Sequence, residues 1–441
     1  MSGRRKRSWA AVSAALLVFG AGGPAFAQSS APAVSANGVL PGGVSYELRS
    51  DPAQRVAAVA LWFRAPAGGF EPAAIPGLSR LAAATVAAST PVTGTSLAQL
   101  VDRWGGRITV AAYPDSVAVT ALVPADRAAQ AVRAMTADFF APVIGASGLQ
   151  LAQRDSAEVF LYRSLGPEAI EDALGAALFA DGPLHDGTIG TVKGLSGVTL
   201  ERVRTFAERA FRPANALLVL TGQVDAGVLR GVATRAGAAP GGAAEAAAAQ
   251  TPRDAPGQLR NAANLAGIGL GWIGPPITAE ADATALDFTA DALFAPRTGL
   301  AAKALGTLKA TVTGKFVTFR NPGVFLVTIS GDDAEAARPI VERVLADAAK
   351  PMTAAAFEAA QARFIYRTLG DLTTPADAAD TYGWYTIEGD PEYAPAEGGA
   401  QGRYFTLAAK LTPETVARTI ATYLGRAPAV VTQVKRSGKA A

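Results

Sequence analysis

The sequence predicts an α+β fold of two tandem homologous repeats, each a mainly antiparallel sheet covered by helices. Three observations predict it. Similar segments recur at a nearly constant distance. Strand-length apolar runs stand beside longer helical patterns without strict βαβ alternation. A stretch dominated by Ala, Gly and Pro divides the two halves of the 441-residue chain.

The recurrence has a spacing of 208 to 213 residues. Half of the 414 residues that follow residue 27 is 207, so the spacing matches two copies. The matching segments are Asp138 with Asp347, Pro142 with Pro351, Ala152-Gln153 with Ala360-Gln361, 59–65 with 268–274, and 198–203 with 411–416.

Individual elements follow from local patterns. Runs 56–64 and 116–123 have the composition and length of strands. Residues 126–139 carry apolar side chains at helical spacing, and Thr199 is placed to cap a helix that ends near Phe211. Thr412 has the same capping role in the second copy, with a proline at the first helical position.

The N-terminus has the three parts of an export signal. Basic residues 4–7 precede an apolar run from Trp9 to about Gly20, and Ala25-Phe26-Ala27 forms a small-residue cleavage site. We expect cleavage before Gln28 and a periplasmic protein without a membrane span; an uncleaved anchor is the alternative. The predicted organisation is a signal peptide (1–27), a first repeat (28–230), a linker (231–257) and a second repeat (258–441).

Composition excludes several functions. The chain has no Cys and a single His, His185, which excludes Cys nucleophiles and any metal site that needs two imidazoles. The net charge is +3, and removal of the four basic residues at 4–7 changes it to −1. A near-neutral chain lacks the basic surface of a nucleic-acid binder, so we expect no nucleic-acid partner.

Three motifs carry a resemblance to a known family. Gly77-Leu-Ser-Arg-Leu-Ala-Ala-Ala84 opens a predicted helix, Val101–Ile108 contains a Gly-Gly turn, and Phe211-Arg-Pro-Ala-Asn-Ala-Leu-Leu-Val-Leu-Thr-Gly222 leads into a strand. With their surroundings, these segments resemble the pitrilysin/insulinase superfamily of zinc peptidases, the inverted zincins. The resemblance covers residues 37–434 and implies a chain that forms half of a clamshell.

The metal motif of that family is replaced. Active members carry His-x-x-Glu-His, in which two imidazoles hold zinc and the Glu activates the metal-bound water. The matching positions here are Arg80, Ala83 and Ala84. Glu158 lies 74 positions after Ala84 and is either a relic of the third ligand or a solvated carboxylate. Arg80 either takes the place of the metal as a fixed positive charge paired with Glu158, or is an ordinary exposed Arg on the helix. We therefore expect no catalytic residue, no metal and no cofactor in this chain.

Many relatives pair an active subunit with a metal-free one, whose second copy offers an Arg and a Tyr to the substrate. The matching positions here are Gly306 and Thr313, with Lys309 nearby, so this assisting pair is also missing. We interpret His185 as a loop residue without a catalytic role. The aromatic residues Tyr366, Tyr382, Trp384 and Tyr385 and the neighbouring Arg363 are assigned to core or interface.

Three functions remain. The first is an exported non-catalytic subunit that shapes a peptide-binding chamber with a zinc-bearing homologue, its peptide held by shape and backbone contacts. This hypothesis expects a single two-repeat chain to leave a concave apolar face open to water. The second is a stand-alone periplasmic peptide-binding or chaperone-like module. The third, a hydrolase without zinc, lacks both a Gly-x-Ser-x-Gly motif and a suitable base.

Overall fold

A computed structural model describes residues 34–64, 75–90, 94–232, 250–320, 322–394 and 403–436. The predicted signal peptide and most of the predicted linker lie outside these ranges. The strands are β1 Val34–Val39, β2 Ser45–Ser50, β3 Val56–Arg64, β4 Arg107–Ala112, β5 Ser116–Pro124, β6 Ala216–Gly222, β7 Gln258–Ala263, β8 Gly267–Ile273, β9 Ala310–Val317, β10 Val324–Gly331 and β11 Ala429–Lys435.

Helices are assigned to both halves of the described chain. They are α1 Leu78–Ala88, α2 Leu97–Arg103, α3 Ala128–Phe140, α4 Ala146–Leu165, α5 Glu168–Leu178, α6 Pro183–Asp186, α7 Val192–Ser196, α8 Leu200–Ala210, α9 Glu280–Phe294, α10 Leu300–Ala304, α11 Ala334–Ala348, α12 Ala354–Gly370, α13 Pro375–Glu388, α14 Arg403–Lys410 and α15 Pro413–Tyr423.

The strands form two sheets of matching topology. The first has the order β1-β2-β6-β3-β5-β4 and the second the order β7-β11-β8-β10-β9. In each sheet one pair is parallel, β2 with β6 and β7 with β11, and the other pairs are antiparallel. Among the described residues, the first sheet has one strand that the second sheet lacks, the edge strand β1. The predicted α+β class with two repeats is confirmed.

The predicted helix starts are also present. The Thr199 side chain accepts a hydrogen bond from the Arg202 backbone N–H, and Thr412 accepts one from Thr415 with Pro413 at the first helical position. The repeats further agree in a buried detail of α4 and α12. The Gln153 amide donates to the Leu195 carbonyl at 3.0 Å, and Gln361 donates to Ala408 at 2.8 Å.

Each sheet has a main helical layer on one face and one helix of the other repeat on the second face. Val59, Leu61 and Phe63 of β3 point into the core beneath the first repeat's own helices. The opposite face of β3, with Ala58, Ala60 and Trp62, is buried under α13 of the second repeat.

The first repeat in turn places a helix on the sheet of the second repeat. Helix α5 of the first repeat packs on β8, β10 and β11 of the second sheet, with Ile170 and Leu174 at the contact. Helices α5 and α13 occupy equivalent places in the two repeats. These sheet faces are therefore covered within the chain, and the expectation that they stay open to water is wrong, because each repeat lends the other a helix.

Candidate functional site

The helix on which the sequence resemblance predicts the replaced metal motif is α1, and its N-cap is Gly77. This glycine has a positive φ of 87°, and a Cβ atom there would lie 2.4 Å from the Ile189 carbonyl oxygen. Only glycine satisfies both the left-handed backbone and the close approach. The start of α1 is thus fixed against the loop that follows His185.

Arg80 is buried at the contact between α1 and α4. Arg80 is only 6% exposed, so the interpretation of this residue as an ordinary exposed Arg is wrong. Its guanidinium donates to Asp155 Oδ2 at 2.8 Å and to Ser156 Oγ at 3.1 Å. Ala83 is buried as well, and Ala84 is half-buried. Burial of a charged side chain costs free energy unless its N–H donors are hydrogen-bonded. These two bonds pair part of the Arg80 guanidinium.

The pairing of Arg80 with Glu158, the other interpretation of Arg80, is also wrong. Glu158 lies nearly one helical turn beyond Asp155 on α4 and is held at 3.5 Å by Arg154, with both side chains largely exposed. Asp155 and Ser156 are the α4 residues that reach Arg80. Glu158 is therefore a solvated surface carboxylate.

These residues do not fit a catalytic zinc ion. Zinc sites in peptidases use three protein ligands from His, Asp or Glu, and the described residues contain no group of three or more such side chains that could hold a metal. In addition, the permanent positive charge of Arg80 would repel a divalent cation.

An exposed stripe runs along α4 beside this ion pair. It consists of Leu151, Asp155, Glu158, Tyr162 and Leu165, which helical geometry places on one face. Tyr162 is 77% exposed, and both leucines are exposed too. Large apolar side chains grouped in this way often mark an interaction surface.

The two positions that the resemblance matches to a substrate-contacting Arg and Tyr, Gly306 and Thr313, lie in the second repeat. Gly306 follows α10 in the left-handed region with φ 58°. Thr313 lies on β9, and its hydroxyl forms a 2.6 Å hydrogen bond with Thr328 on the neighbouring strand. The Lys309 backbone N–H donates to Asp333, while its side chain is exposed.

His185 lies in the short helix α6. Its Nδ1 is 2.7 Å from Asp186 Oδ1, and both side chains are about a third exposed. The structure therefore places this imidazole beside a neighbouring carboxylate in a surface turn. Three of the aromatic residues assigned to core or interface are packed: Tyr382 is buried with Arg49 over its ring, Trp384 contacts Tyr113 and Phe319, and Tyr385 contacts Tyr393 edge-on. Tyr366 is 78% exposed and does not lie in the core.

A cavity of about 400 Å³ lies between the two repeats and was not predicted. Its apolar wall includes Phe179, Phe319 and Trp384. Two ion pairs also line it, Lys315 with Glu171 at 2.8 Å and Arg163 with Asp172 at 2.6 Å. Residues at the ends of the free edge strands β4 and β9 complete the lining. Because these side chains are distant in sequence, no local motif announces the cavity.

The second repeat has an acidic cavity of about 340 Å³ between α9, α12 and α13. Asp287 lines it and accepts a 3.1 Å hydrogen bond from the Tyr404 hydroxyl. Burial raises the pKa of Asp287 to about 7, an effect that the Tyr404 bond opposes. Asp291 in the same cavity pairs with Arg367, and burial raises its pKa despite that pairing.

The chain is similar to known proteins in sequence and in fold. Residues 197–364 match the family model of the peptidase M16 inactive domain, the family of the pitrilysin- and insulinase-type peptidases. The resemblance to the M16 peptidases is confirmed. The matched residues are the end of the first repeat and much of the second, so that α1 lies outside them. No curated protein sequence matches the chain.

Several solved structures share the fold of nearly the whole chain. A protease from Helicobacter pylori superposes with a TM-score of 0.79 at 15% identity, covering 91% of this chain and 99% of that one. A peptidase M16 inactive domain from Pseudomonas fluorescens gives 0.75 at 17% identity, covering 92% and 99%. A chain of complex III2 from Candida albicans, with Inz-5 bound, gives 0.72 at 13% identity, covering 90% and 95%.

Among the residues that the structure describes, no helix combines the length and the apolar composition that are needed to cross a bilayer.

Proposed function

We propose that this chain is an exported, non-catalytic subunit of a peptidase-like assembly. A homologous zinc-bearing subunit would supply the metal chemistry, and this chain would shape the chamber that holds the peptide. The observation that carries the proposal is the network of Arg80, Asp155 and Ser156, which stands at the helix contact where the resemblance implies a metal centre.

The cavity between the repeats supports a role in peptide binding. Its apolar wall suits an apolar side chain, and the ion pairs at Glu171 and Asp172 stand beside it. Strands β4 and β9 each have one unpaired edge among the described residues, and their ends reach this cavity. An unpaired edge can hydrogen-bond to an extended peptide backbone.

The stripe on α4 supports the presence of a partner subunit. Tyr162 and Leu165 expose apolar area on α4, the helix whose Asp155 pairs with Arg80. Burying such area against a partner contributes about 25 cal/mol per Å². We place the assembly in the periplasm, with the mature chain beginning at Gln28, on the pattern of the first 27 residues.

Co-purification with a zinc-bearing homologue from the same genome tests this proposal. We expect the two chains to co-elute, with about twice the mass of one chain by light scattering. The double variant Tyr162→Ser, Leu165→Ser should lose the complex. Val192→Ser, which removes an exposed apolar side chain on α7, is the matched control and should keep it.

Two results would contradict the proposal. If the chains never co-elute, or if the complex is indifferent to the α4 substitutions, the subunit model fails. Tight binding of extended peptides by the isolated chain, together with absence of a complex, would favour the stand-alone binding module instead.

A further inference from the structure

Two buried carboxyl groups meet at the contact between the repeats. Asp115 lies in the turn between β4 and β5 of the first repeat, and Glu388 is the last residue of α13 in the second. Asp115 is 9% exposed and Glu388 only 1%. Their side chains are in hydrogen-bonding contact with each other. Two residues that are 273 positions apart in the chain thus join the repeats directly.

Among the described residues, one oxygen of each carboxyl group has no hydrogen-bond donor. Within the described part of the chain, Asp115 Oδ1 and Glu388 Oε1 are both buried and accept no hydrogen bond. Two ionised carboxylates can only accept, so that their contact would be repulsive. A single proton between them turns the contact into an O–H···O⁻ hydrogen bond, which is short and strong.

Nearby cations do not replace that proton. The Arg320 backbone N–H donates to Glu388 Oε2 at 2.6 Å. The Arg320 guanidinium donates to the carbonyl oxygens of Glu388 and Ile387, both at 3.0 Å. Its charge favours ionisation of both acids but its donors point at the backbone. Arg64 at the end of β3 is close enough to Arg320 to repel it, and burial lowers the pKa of Arg64.

The other titratable groups at this contact are engaged with each other. The Tyr113 hydroxyl, two residues before Asp115, donates to Asp380 of α13 at 2.7 Å. Ser116, adjacent to Asp115, is buried, and its hydroxyl lies near enough to favour the ionised form of that carboxylate. The carboxyl pair therefore faces the Arg320 loop, the end of β3 and its own two elements, and none of them supplies a second positive charge in direct contact.

We propose that Asp115 and Glu388 share one proton and that this protonated pair is an alkali-sensitive fastening between the two repeats. Burial, and then the charge of Asp115, raise the pKa of Glu388 to about 9. The folded chain thus keeps a proton that the unfolded chain releases near pH 4. The stability from this contact is complete at acidic pH and falls as the pH rises toward about 9.

Denaturant unfolding of the whole chain between about pH 6 and pH 10 tests the proposal. In Glu388→Gln, the amide donates to the Asp115 carboxylate in place of the proton. We expect the unfolding midpoint of wild type to fall relative to this variant as the pH rises. Glu358→Gln, which changes an exposed carboxylate on α12, should follow wild type at each pH.

Infrared spectroscopy gives an independent readout that needs no stable variant. At about pH 8, above the pKa of Asp287, wild type should show the carbonyl stretch of a protonated carboxylic acid, and the band should vanish at higher pH. Asp115→Asn should lose it at pH 8. If wild type shows no such band and Glu388→Gln is destabilised equally at all pH values, both acids are ionised and the proposal is overturned.

Discussion

The guanidinium of Arg80 and the carboxylate of Asp155 meet at 2.8 Å across the contact of α1 and α4. The two side chains differ in environment, since Arg80 is almost fully buried and Asp155 is 55% exposed. The buried member therefore depends on the bond, whereas the exposed member can turn to water. An ion pair of this kind joins α1 to α4.

This asymmetry predicts unequal effects of substitution. Arg80→Ala removes two hydrogen bonds and the packing of a long buried stem, and should lower the free energy of unfolding by about 2 kcal/mol. Asp155→Ala leaves the buried guanidinium without its carboxylate but keeps the packed Arg80 stem and the Ser156 bond, so it should cost about 1 kcal/mol, less than Arg80→Ala. Arg154→Ala, the exposed partner of Glu158, is the control and should be near neutral. Urea unfolding measures all three; equal losses would contradict the buried role of Arg80.

The exchanged helices predict a sharp contrast between two glycines. A Cβ atom at Gly383 on α13 would lie 2.1 Å from Trp62 Nε1, so Gly383→Ala should cost more than about 3 kcal/mol or prevent folding. Gly370 on α12 has no atom within 4 Å of its Cβ position. Gly370→Ala should be neutral or stabilise by at most about 1 kcal/mol. Thermal melts that shift equally for both variants would refute the close approach of α13 to β3.

Asp287 predicts a pH dependence near neutrality. Its folded pKa is raised to about 7 by burial, whereas an unfolded Asp titrates near 3.9. The folded state binds the extra proton, so that the contribution of this group to stability is greatest below about pH 4 and is lost as the pH rises through about 7. Asp287→Asn should flatten the stability profile in that range.

The measurement is urea unfolding at pH 5 and at pH 8, compared between wild type and Asp287→Asn. Asp102→Asn, on the exposed side of α2, is the control and should retain the profile of wild type. A variant that still loses as much stability between the two pH values as wild type would exclude Asp287 as the titrating group.

The N-terminal pattern predicts that the exported chain begins at Gln28. Intact-mass measurement of protein from the periplasm should show loss of residues 1–27. A mass that includes those residues would replace the exported subunit with one anchored by its N-terminus.

Local patterns were sufficient for the repeats and for individual elements. The offset of 209 residues is visible because similar segments recur along the chain. The strand 56–64 and the caps Thr199 and Thr412 follow from the residues next to them in sequence. The partner of Arg80 was not predictable, because Asp155 and Glu158 both lie on the same face of α4 and only the packing of α1 selects between them.

A glycine pattern in β8 indicates the close approach of another element. Strand β8 carries Gly267, Gly269 and Gly271 on one face, and a Cβ atom at Gly269 would lie 2.6 Å from Ile170 of α5. Alternate glycines in a strand mark the close approach of another element. The pattern indicates that something packs there, but it does not identify α5, because the choice between sheets depends on the whole chain.

Zinc content and peptidase activity, measured together on this chain, on its zinc-bearing homologue and on an equimolar mixture, test the central claim most directly. The account predicts no bound zinc and no peptide cleavage for this chain alone. It predicts one zinc per pair of chains in the mixture, with more activity than the homologue has alone. One tightly held zinc per molecule of this chain, with chelator-sensitive cleavage by the chain alone, would contradict it.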